Sequence, residues 1–335
     1  MSNANRRFVL AARPTGIAGP EHFAEQTLPV RAPEPGELLL ETLYLSVDPA
    51  MRVWIGENPG YVPRIEPGDT MRGFGISRVL ISRDRRFDTG DLVQTRAGWQ
   101  SHPTVKADDV ETFDRSIGTP EDWMGLLGMT GLTAYFGLRD IGAVRPGETV
   151  LVSGAAGAVG QVVGQIANIE QCRVVGLAGG PEKCASLTRD HGFHAAIDYK
   201  SEPDLAAAIA RACPGGVDVF YDNVGGPTLD AAIANLRIGG RVVICGRISQ
   251  TAAAELYGVK NLGLLIGRRA RIQGFVVTDF TSRFPEGRIW LAGQHAAGRL
   301  HQRLHVLHGL EQAAVGLGML FRGENTGKLV IKLNG

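Results

Sequence analysis

Apolar and polar positions change their spacing part-way along the chain. Up to about residue 125, apolar residues form short runs of β type, such as 37–47 and 75–82, and six prolines punctuate residues 33–67. At residues 88–91 a turn of the form Asp-Thr-Gly-Asp leads into an apolar pair, which indicates the start of a strand. This pattern predicts a β-rich domain.

From about residue 149, apolar strands alternate with helical segments. Strands are predicted at 150–153, 173–178, 195–198, 217–222, 241–245 and 271–277, and helices at 160–170, 181–191, 202–212 and 228–236. This order predicts a doubly wound parallel sheet. The fold class is therefore α/β, with a β-rich domain over residues 1–125 and 300–335, ending in a strand at 328–333, and a doubly wound domain over residues 126–299.

Composition narrows the functional class. A chain of 335 residues exceeds the usual size of a single core, and its net charge of +1 creates no long-range field for nucleic acid or a membrane. Its cysteines stand far apart without a CxxC pair, at Cys172, Cys184, Cys213 and Cys245. We therefore expect neither a disulfide framework nor a structural zinc site, and we expect a cytoplasmic location.

Residues 150–160 carry the strongest motif. The run Val-Leu-Val-Ser-Gly-Ala-Ala-Gly-Ala-Val-Gly passes from a strand through small residues into a helix. Small residues let a diphosphate approach the backbone, and a helix N-terminus offers unpaired N–H groups and positive potential. A side chain at Gly157 would block that approach. Although Ala155 replaces the first glycine of a strict GxGxxG motif, the context predicts a Rossmann dinucleotide site.

The end of the second strand of this domain favours the phosphorylated cofactor. NAD enzymes commonly place an acid there, whereas this strand ends in Gly179-Gly180, and Lys183 follows where a cation can meet a 2′-phosphate. Glu182 leaves NAD open as an alternative, although acids are common in the first turn of a helix. NADPH is the predicted cofactor.

Together these motifs resemble a known family. The chain is similar to the medium-chain reductases that include leukotriene B4 12-hydroxydehydrogenase/prostaglandin reductase, bacterial curcumin reductase-like enzymes and plant alkenal double-bond reductases. The resemblance covers nearly the whole chain and rests on residues 47–52, 129–138, 154–160, 222–226, 245–250, 274–277 and 323–328.

The resemblance implies a GroES-like catalytic domain, a Rossmann domain, a homodimer and no metal. It implies that NADPH reduces the carbon–carbon double bond of α,β-unsaturated aldehydes or ketones. The implied cofactor contacts are Ala156, Gly157, Ala158 and Val159 for the diphosphate, Lys183 and Tyr199 for the 2′-phosphate end, and Asn223, Cys245, Phe275, Val277 and Asn325 for the remainder. Each has a structural alternative, because core residues outnumber site residues.

Residues at positions that bound the substrate pocket in the family differ in this chain. Plant relatives carry tyrosines in DPYMR, GYG and ISQYN motifs, where this chain has Ala50, Phe74 and Thr251. Three hydroxyls that bound the substrate pocket are therefore missing. The remaining candidates for a catalytic donor are Tyr61 and Tyr257.

Three alternative functions are compatible with parts of this sequence to different degrees. Zinc-dependent alcohol oxidation is disfavoured, because no cysteine precedes Arg145 and His22 and His102 are the only histidines before the Rossmann segment. Quinone reduction or allylic alcohol oxidation by the same zinc-free apparatus stays open. A non-catalytic NADPH sensor is a further alternative, since fold alone does not establish activity.

Overall fold

The computed structural model describes residues 4–57, 59–112 and 114–333. Its strands are β1 (Ala4–Leu10), β2 (Phe23–Pro29), β3 (Glu37–Ser46), β4 (Gly75–Ser82), β5 (Leu92–Thr95), β6 (Thr104–Lys106), β7 (Val110–Thr112), β8 (Thr149–Val152), β9 (Arg173–Ala178), β10 (Ala195–Asp198), β11 (Val217–Asp222), β12 (Leu236–Ile244), β13 (Arg271–Gly274), β14 (Leu304–His308) and β15 (Lys328–Lys332).

The helices are also numbered in chain order. They are α1 (Ala50–Trp54), α2 (Pro120–Met124), α3 (Met129–Phe136), α4 (Ala158–Ile169), α5 (Pro181–Asp190), α6 (Leu205–Ala212), α7 (Pro227–Ala234), α8 (Ile248–Thr251), α9 (Leu264–Arg268), α10 (Phe284–Ala296) and α11 (Gln312–Arg322). A π-helical turn at Gly137–Ile141 extends α3, and a 3₁₀ segment at Val277–Arg283 precedes α10. Among the described residues, no helix combines the length and apolar character that a membrane crossing requires.

Contacts divide the chain into two compact units. The first unit comprises residues 1–124, 304–325 and 329–335, and the second comprises residues 125–303 and 326–328. The last strand of the chain, β15, pairs antiparallel with β3 in the first unit, from Val330 beside Ser46 to Lys332 beside Tyr44.

The first unit is β-rich. Its main sheet has the order β14-β15-β3-β4-β5-β7, with β6 also paired to β3, and β1 and β2 form a separate antiparallel pair. Alternation along β3 and β4 buries Leu38, Leu40 and Val79 on one side of the sheet. The predicted β-rich character of this region is confirmed.

The second unit is a six-stranded parallel sheet of order β10-β9-β8-β11-β12-β13. The chain starts at the central strand β8, builds outward to β10, and then returns to β11 on the other side. This is the doubly wound order that the sequence predicts, and its direction reverses between β8 and β11. Ligands of such sheets bind at the carboxyl ends of the strands on either side of that reversal.

Three predicted boundaries were wrong for identifiable reasons. Helix α6 starts at Leu205, three residues later than predicted, because the Asp204 side chain accepts a hydrogen bond from Ala207 N at 3.0 Å and caps the helix. Strand β12 starts earlier, at Leu236, which pairs with Val217 across a register shift. Strand β13 stops at Gly274, where its pairing with β12 ends.

Candidate functional site

The turn between β8 and α4 leaves the N-terminus of the helix open. Gly157 is the N-cap residue, no side chain of the described residues caps the helix, and its first turn carries no acid. The first N–H groups of a helix have no partner within the helix, and the helix dipole makes that end positive. This geometry suits a bound phosphate.

Two glycines of the turn meet different surroundings. A Cβ on Gly160 would overlap the carbonyl oxygen of Gly154 and lie 2.7 Å from Ala155 Cα, so only glycine lets α4 approach the turn. At Gly157 the nearest protein atom to a Cβ would be Gly154 O, at 3.1 Å, with no other within 4 Å. The space beside Gly157 is therefore left open by the protein, as a cradle for a ligand would be.

Residues far along the chain line the same turn. Gly327 N donates a hydrogen bond to Ala156 O at 3.0 Å, which brings Gly327 of the predicted 323–328 motif against the phosphate-binding turn. The buried side chain of Gln161 holds the neighbouring segment, because it accepts from Arg303 N at 2.9 Å and donates to Arg303 O at 3.3 Å. Sequence analysis did not identify Arg303 as a neighbour of the turn.

One pocket joins this turn to Lys183. Its lining includes Ala156, Lys183, His191, Arg303 and Gly327. Burial, and secondarily the charge of Lys200, lowers the pKa of Lys183. His191 is buried with no hydrogen-bond partner at Nδ1 among the described residues, and burial is the main cause that lowers its pKa. Glu182 also lines the pocket, so Lys183 and Arg303 leave a net positive charge beside the helix N-terminus, which favours an anionic ligand.

Tyr199 and Lys200 follow strand β10, and Tyr199 N donates to Ala178 O, at the end of β9, at 3.2 Å. A Cβ on Gly179 would be 2.9 Å from Tyr199 Oη and 2.9 Å from Lys200 Cε, so both side chains pass over this glycine. Asp198 accepts hydrogen bonds from Gly180 N at 2.8 Å and from Lys200 N at 3.0 Å. Its carboxylate is thus engaged by the backbone. Lys200 was missed in the sequence, although its position directly after Tyr199 was a usable signal.

The segment after β11 is fixed to the end of β8. Buried Asp222 accepts from Ser153 Oγ at 2.7 Å, Val224 N at 2.9 Å and Gly225 N at 3.0 Å. Asn223 Nδ2 donates to Ser153 O at 2.7 Å. Burial raises the pKa of Asp222, while its backbone hydrogen bonds act in the opposite direction. Asp222 therefore holds Asn223 at the sheet edge where the order of strands reverses.

Four further predicted cofactor residues have mainly structural surroundings. Burial raises the pKa of the Cys245 thiol to about 12, so this thiol stays protonated at neutral pH. The Phe275 ring packs on Gly137, where a Cβ would lie 2.6 Å from Phe275 Cζ. Val277 begins the 3₁₀ segment rather than ending a strand, and Asn325 is buried in the first unit. Their roles as cofactor contacts stay predictions.

The two candidate catalytic donors, Tyr257 and Tyr61, differ in whether their hydroxyl groups already make a hydrogen bond. Tyr257 Oη donates to Asp230 Oδ2 at 2.8 Å, and Asp230 also accepts from the backbone N of Lys260 and of Asn261. This hydrogen bond is the main cause that raises the pKa of Tyr257. The Tyr61 side chain is exposed, and its hydroxyl has no partner among the described residues. Only Tyr61 therefore has an uncommitted donor.

Two of the residues that differ from the family, Phe74 and Thr251, contact neighbouring side chains or the backbone. Phe74 contacts Trp54 edge-on with ring centroids 6.4 Å apart, and the Arg96 guanidinium lies 5.3 Å from its ring centroid. Thr251 Oγ1, at the end of α8, donates to the carbonyl oxygen of the N-cap residue Arg247. In the described ranges 4–57, 59–112 and 114–333, no cluster of three or more His, Cys, Asp or Glu side chains is arranged to hold a metal.

Comparisons with known proteins agree with this architecture. Residues 6–113 match the family described as the N-terminal domain of oxidoreductase, and residues 158–292 match the zinc-binding dehydrogenase family. The NADPH-dependent curcumin reductase of Escherichia coli is 40% identical over 99% of this chain and 97% of its own length. The tobacco 2-alkenal reductase (NADP(+)-dependent) is 39% identical over 92% and 91%.

A solved structure extends the likeness to three dimensions. The crystal structure of CurA in complex with NADPH from Vibrio vulnificus has a TM-score of 0.92 and 35% identity, covering 98% of this chain and 99% of that one. A GroES-like domain with a Rossmann unit and its open phosphate-binding turn defines a medium-chain dehydrogenase/reductase. Within that superfamily, the chain belongs to the prostaglandin reductase, alkenal reductase and curcumin reductase family.

Proposed function

We propose that this protein is an NADPH-dependent reductase of the carbon–carbon double bond of α,β-unsaturated aldehydes or ketones. One observation carries the proposal: Ala156 of the phosphate-binding turn and Lys183 line one pocket, in a chain of this family. The turn suits a diphosphate, and the lysine suits the additional phosphate that distinguishes NADPH from NADH.

When bound, NADPH supplies the hydride, which this reaction delivers to the β-carbon of the substrate. The protein has to orient the two molecules, exclude water and stabilise negative charge on the former carbonyl oxygen. Tyr61 and Tyr257 are the proposed catalytic residues, as donors to that oxygen or of the proton to the α-carbon. The uncommitted hydroxyl favours Tyr61.

Substrate turnover tests this function directly. Purified protein is mixed with NADPH and one of three substrates: a 2-alkenal, a curcumin-like enone or a quinone. An allylic alcohol is tested with NADP⁺ instead of NADPH, and a saturated aldehyde serves as control. We expect NADPH consumption with the alkenal and enone, with the saturated carbonyl compound as product. Turnover of quinones alone, or NADPH binding without any turnover, would reject the proposal in favour of quinone reduction or a sensor.

Cofactor selection gives a second prediction. We expect Lys183→Glu to weaken NADPH binding about 10- to 100-fold and to leave NADH binding within about twofold, because only NADPH loses a charge-assisted contact. Isothermal titration with both cofactors measures the effect. Arg189→Glu makes the same charge change on an exposed position of α5, and we expect it to change neither affinity. Equal losses for NADPH and NADH in Lys183→Glu would contradict the assignment of the 2′-phosphate end.

We further propose a cytoplasmic homodimer. Strand β13 lies at the edge of the parallel sheet, and the segment just before it exposes Leu262, Leu264 and Ile266. Unpaired edge strands and exposed apolar groups favour association with a second chain. The free cysteines agree with a reducing compartment. A single-chain mass in sedimentation equilibrium would reject the dimer.

A further inference from the structure

A second cavity of the Rossmann unit lies away from the phosphate-binding turn. It has a volume of about 270 Å³, and four of its seven lining residues are arginines: Arg145, Arg241, Arg269 and Arg271. Arg241 follows the Gly239-Gly240 pair of β12, and Arg271 is the first residue of β13. This cavity, which we call the arginine pocket, is therefore on the amino side of the sheet, whereas the phosphate-binding turn follows the carboxyl end of β8.

Sheet register places two of these charges side by side. Arg241 and Arg271 are direct partners in the parallel pairing of β12 with β13. Partners on neighbouring strands lie about 4.8 Å apart and point to the same face of the sheet. Guanidinium groups cannot lose their charge in a protein, and like charges at paired positions destabilise a sheet. The arrangement calls for a compensating negative charge.

The protein supplies only part of that charge. Glu148 forms an ion pair with Arg241 through Oε2, and the same oxygen accepts from Arg145 N at 2.8 Å. Among the described residues, it is the one carboxylate paired with any of the four arginines. The Arg241 side chain is only 11% exposed, and its buried Nε has no hydrogen-bond partner in residues 4–57, 59–112 and 114–333. One buried donor of this guanidinium is therefore unsatisfied within the described part of the chain, which adds to the cost of burying the charge.

The other three guanidinium groups keep most of their donors available. Arg271 and Arg269 each donate one hydrogen bond to a backbone carbonyl oxygen, at 3.0 and 3.2 Å. The Arg145 guanidinium has no hydrogen bond or ion pair within the described part of the chain. A guanidinium offers five N–H donors in a planar fork that matches phosphate oxygens. The pocket thus presents a surplus of donors and of positive charge.

The backbone around the pocket is also unusual. Ala143 and Arg269 both line it, and they adopt φ angles of 45° and 48°, in the left-handed region that side chains other than glycine rarely occupy. Residues held in this region persist where the surrounding structure fixes them, and they are concentrated at ligand sites. Arg269 is the C-cap residue of α9, where this conformation is common, so Ala143 is the more informative of the two positions.

We propose that the arginine pocket is a second anion site, which binds a compact diphosphate group. Paired guanidinium forks recognise phosphate oxygens through bidentate, charge-assisted hydrogen bonds. A concave cavity suits a small ligand, whereas a nucleic acid needs a basic stripe that tracks its backbone. The diphosphate can be free or belong to a nucleotide. The proposal does not depend on the reaction proposed above, because it uses none of the residues of the cofactor site.

Calorimetric titration tests the site in NADP⁺-saturated protein, so that the phosphate-binding turn is already filled. We expect inorganic pyrophosphate to bind at one site, and the double variant Arg145→Gln/Arg271→Gln to raise its Kd at least about tenfold. Arg268→Gln removes a charge from the adjacent exposed position of α9 outside the pocket, and we expect it to leave the Kd unchanged. The cofactor variant Lys183→Glu also leaves the Kd unchanged.

A second titrant identifies the source of the diphosphate. Tighter binding of ADP than of pyrophosphate supports a nucleotide ligand, and equal affinity supports the free diphosphate. Absence of saturable pyrophosphate binding overturns the proposal, and so does an unchanged Kd in the double variant. A single-stranded oligonucleotide that displaces pyrophosphate and binds more tightly also overturns it. Alkenal reduction by the double variant is measured in the same preparations and is expected to match the unmodified protein, which separates this test from that of the proposed reaction.

Discussion

Gly157→Val should abolish measurable NADPH binding, with a loss of at least about 100-fold, or about 3 kcal/mol, and leave the fold intact. The backbone at Gly157 has φ −84° and ψ 179°, an extended conformation that valine adopts readily. The new side chain would occupy the space into which the helix N–H groups point. We expect the free energy of unfolding to fall by no more than about 1 kcal/mol, the usual cost of a poor N-cap residue.

Two other glycine variants make the result specific. Gly160→Val should weaken cofactor binding and lower the free energy of unfolding by about 3 kcal/mol, because its Cβ overlaps the backbone of the turn. Gly293→Ala is the neutral control, since Gly293 lies in α10 with no atom within 4 Å of a new Cβ. Cofactor titration and urea unfolding measure the two effects separately. Undiminished NADPH affinity in a folded Gly157→Val protein would mean that the diphosphate binds elsewhere.

Local sequence patterns predicted most strands of the second unit, because each strand is a short apolar run bounded by turn residues. Strands β9, β10 and β11 were predicted at their observed bounds. The beginning of β12 was missed because its Gly239-Gly240 pair is typical of a turn, and only pairing with Val217 and Val219 shows that the strand continues through it. Tertiary pairing overrides local propensity at such positions.

The phosphate-binding turn was predictable because strand, small residues and helix follow one another in the sequence. The recess beside it was only partly predictable. Lys183 lies close to the turn in the sequence, whereas Arg303 reaches the same pocket because Gln161 binds its backbone from 142 residues away. No spacing rule encodes such a contact. For the same reason, the sequence gives no sign that Arg145, Arg241 and Arg271 share a cavity.

Of the two candidate catalytic donors, Tyr61 should be the one whose replacement by phenylalanine has the larger effect on kcat. We expect kcat on a 2-alkenal to fall about 100- to 1000-fold, the usual consequence of removing one donor to a developing oxyanion. KM should change little, because this interaction strengthens only in the transition state. The Tyr61 side chain is 57% exposed, so loss of its hydroxyl should not alter the melting temperature.

Tyr257→Phe provides the matched comparison. Its hydroxyl already donates to Asp230, which also fixes the backbone of Lys260 and Asn261, so removal should cost about 1 kcal/mol of stability and much less in kcat. Steady-state kinetics on both variants, with NADPH affinity as a control for the cofactor site, separates the two roles. A large fall in kcat for Tyr257→Phe alone would mean that this hydroxyl leaves Asp230 when substrate binds. Unchanged kcat in both variants would reject a tyrosine donor, and a cofactor ribose hydroxyl or a water molecule would then have to stabilise the oxyanion.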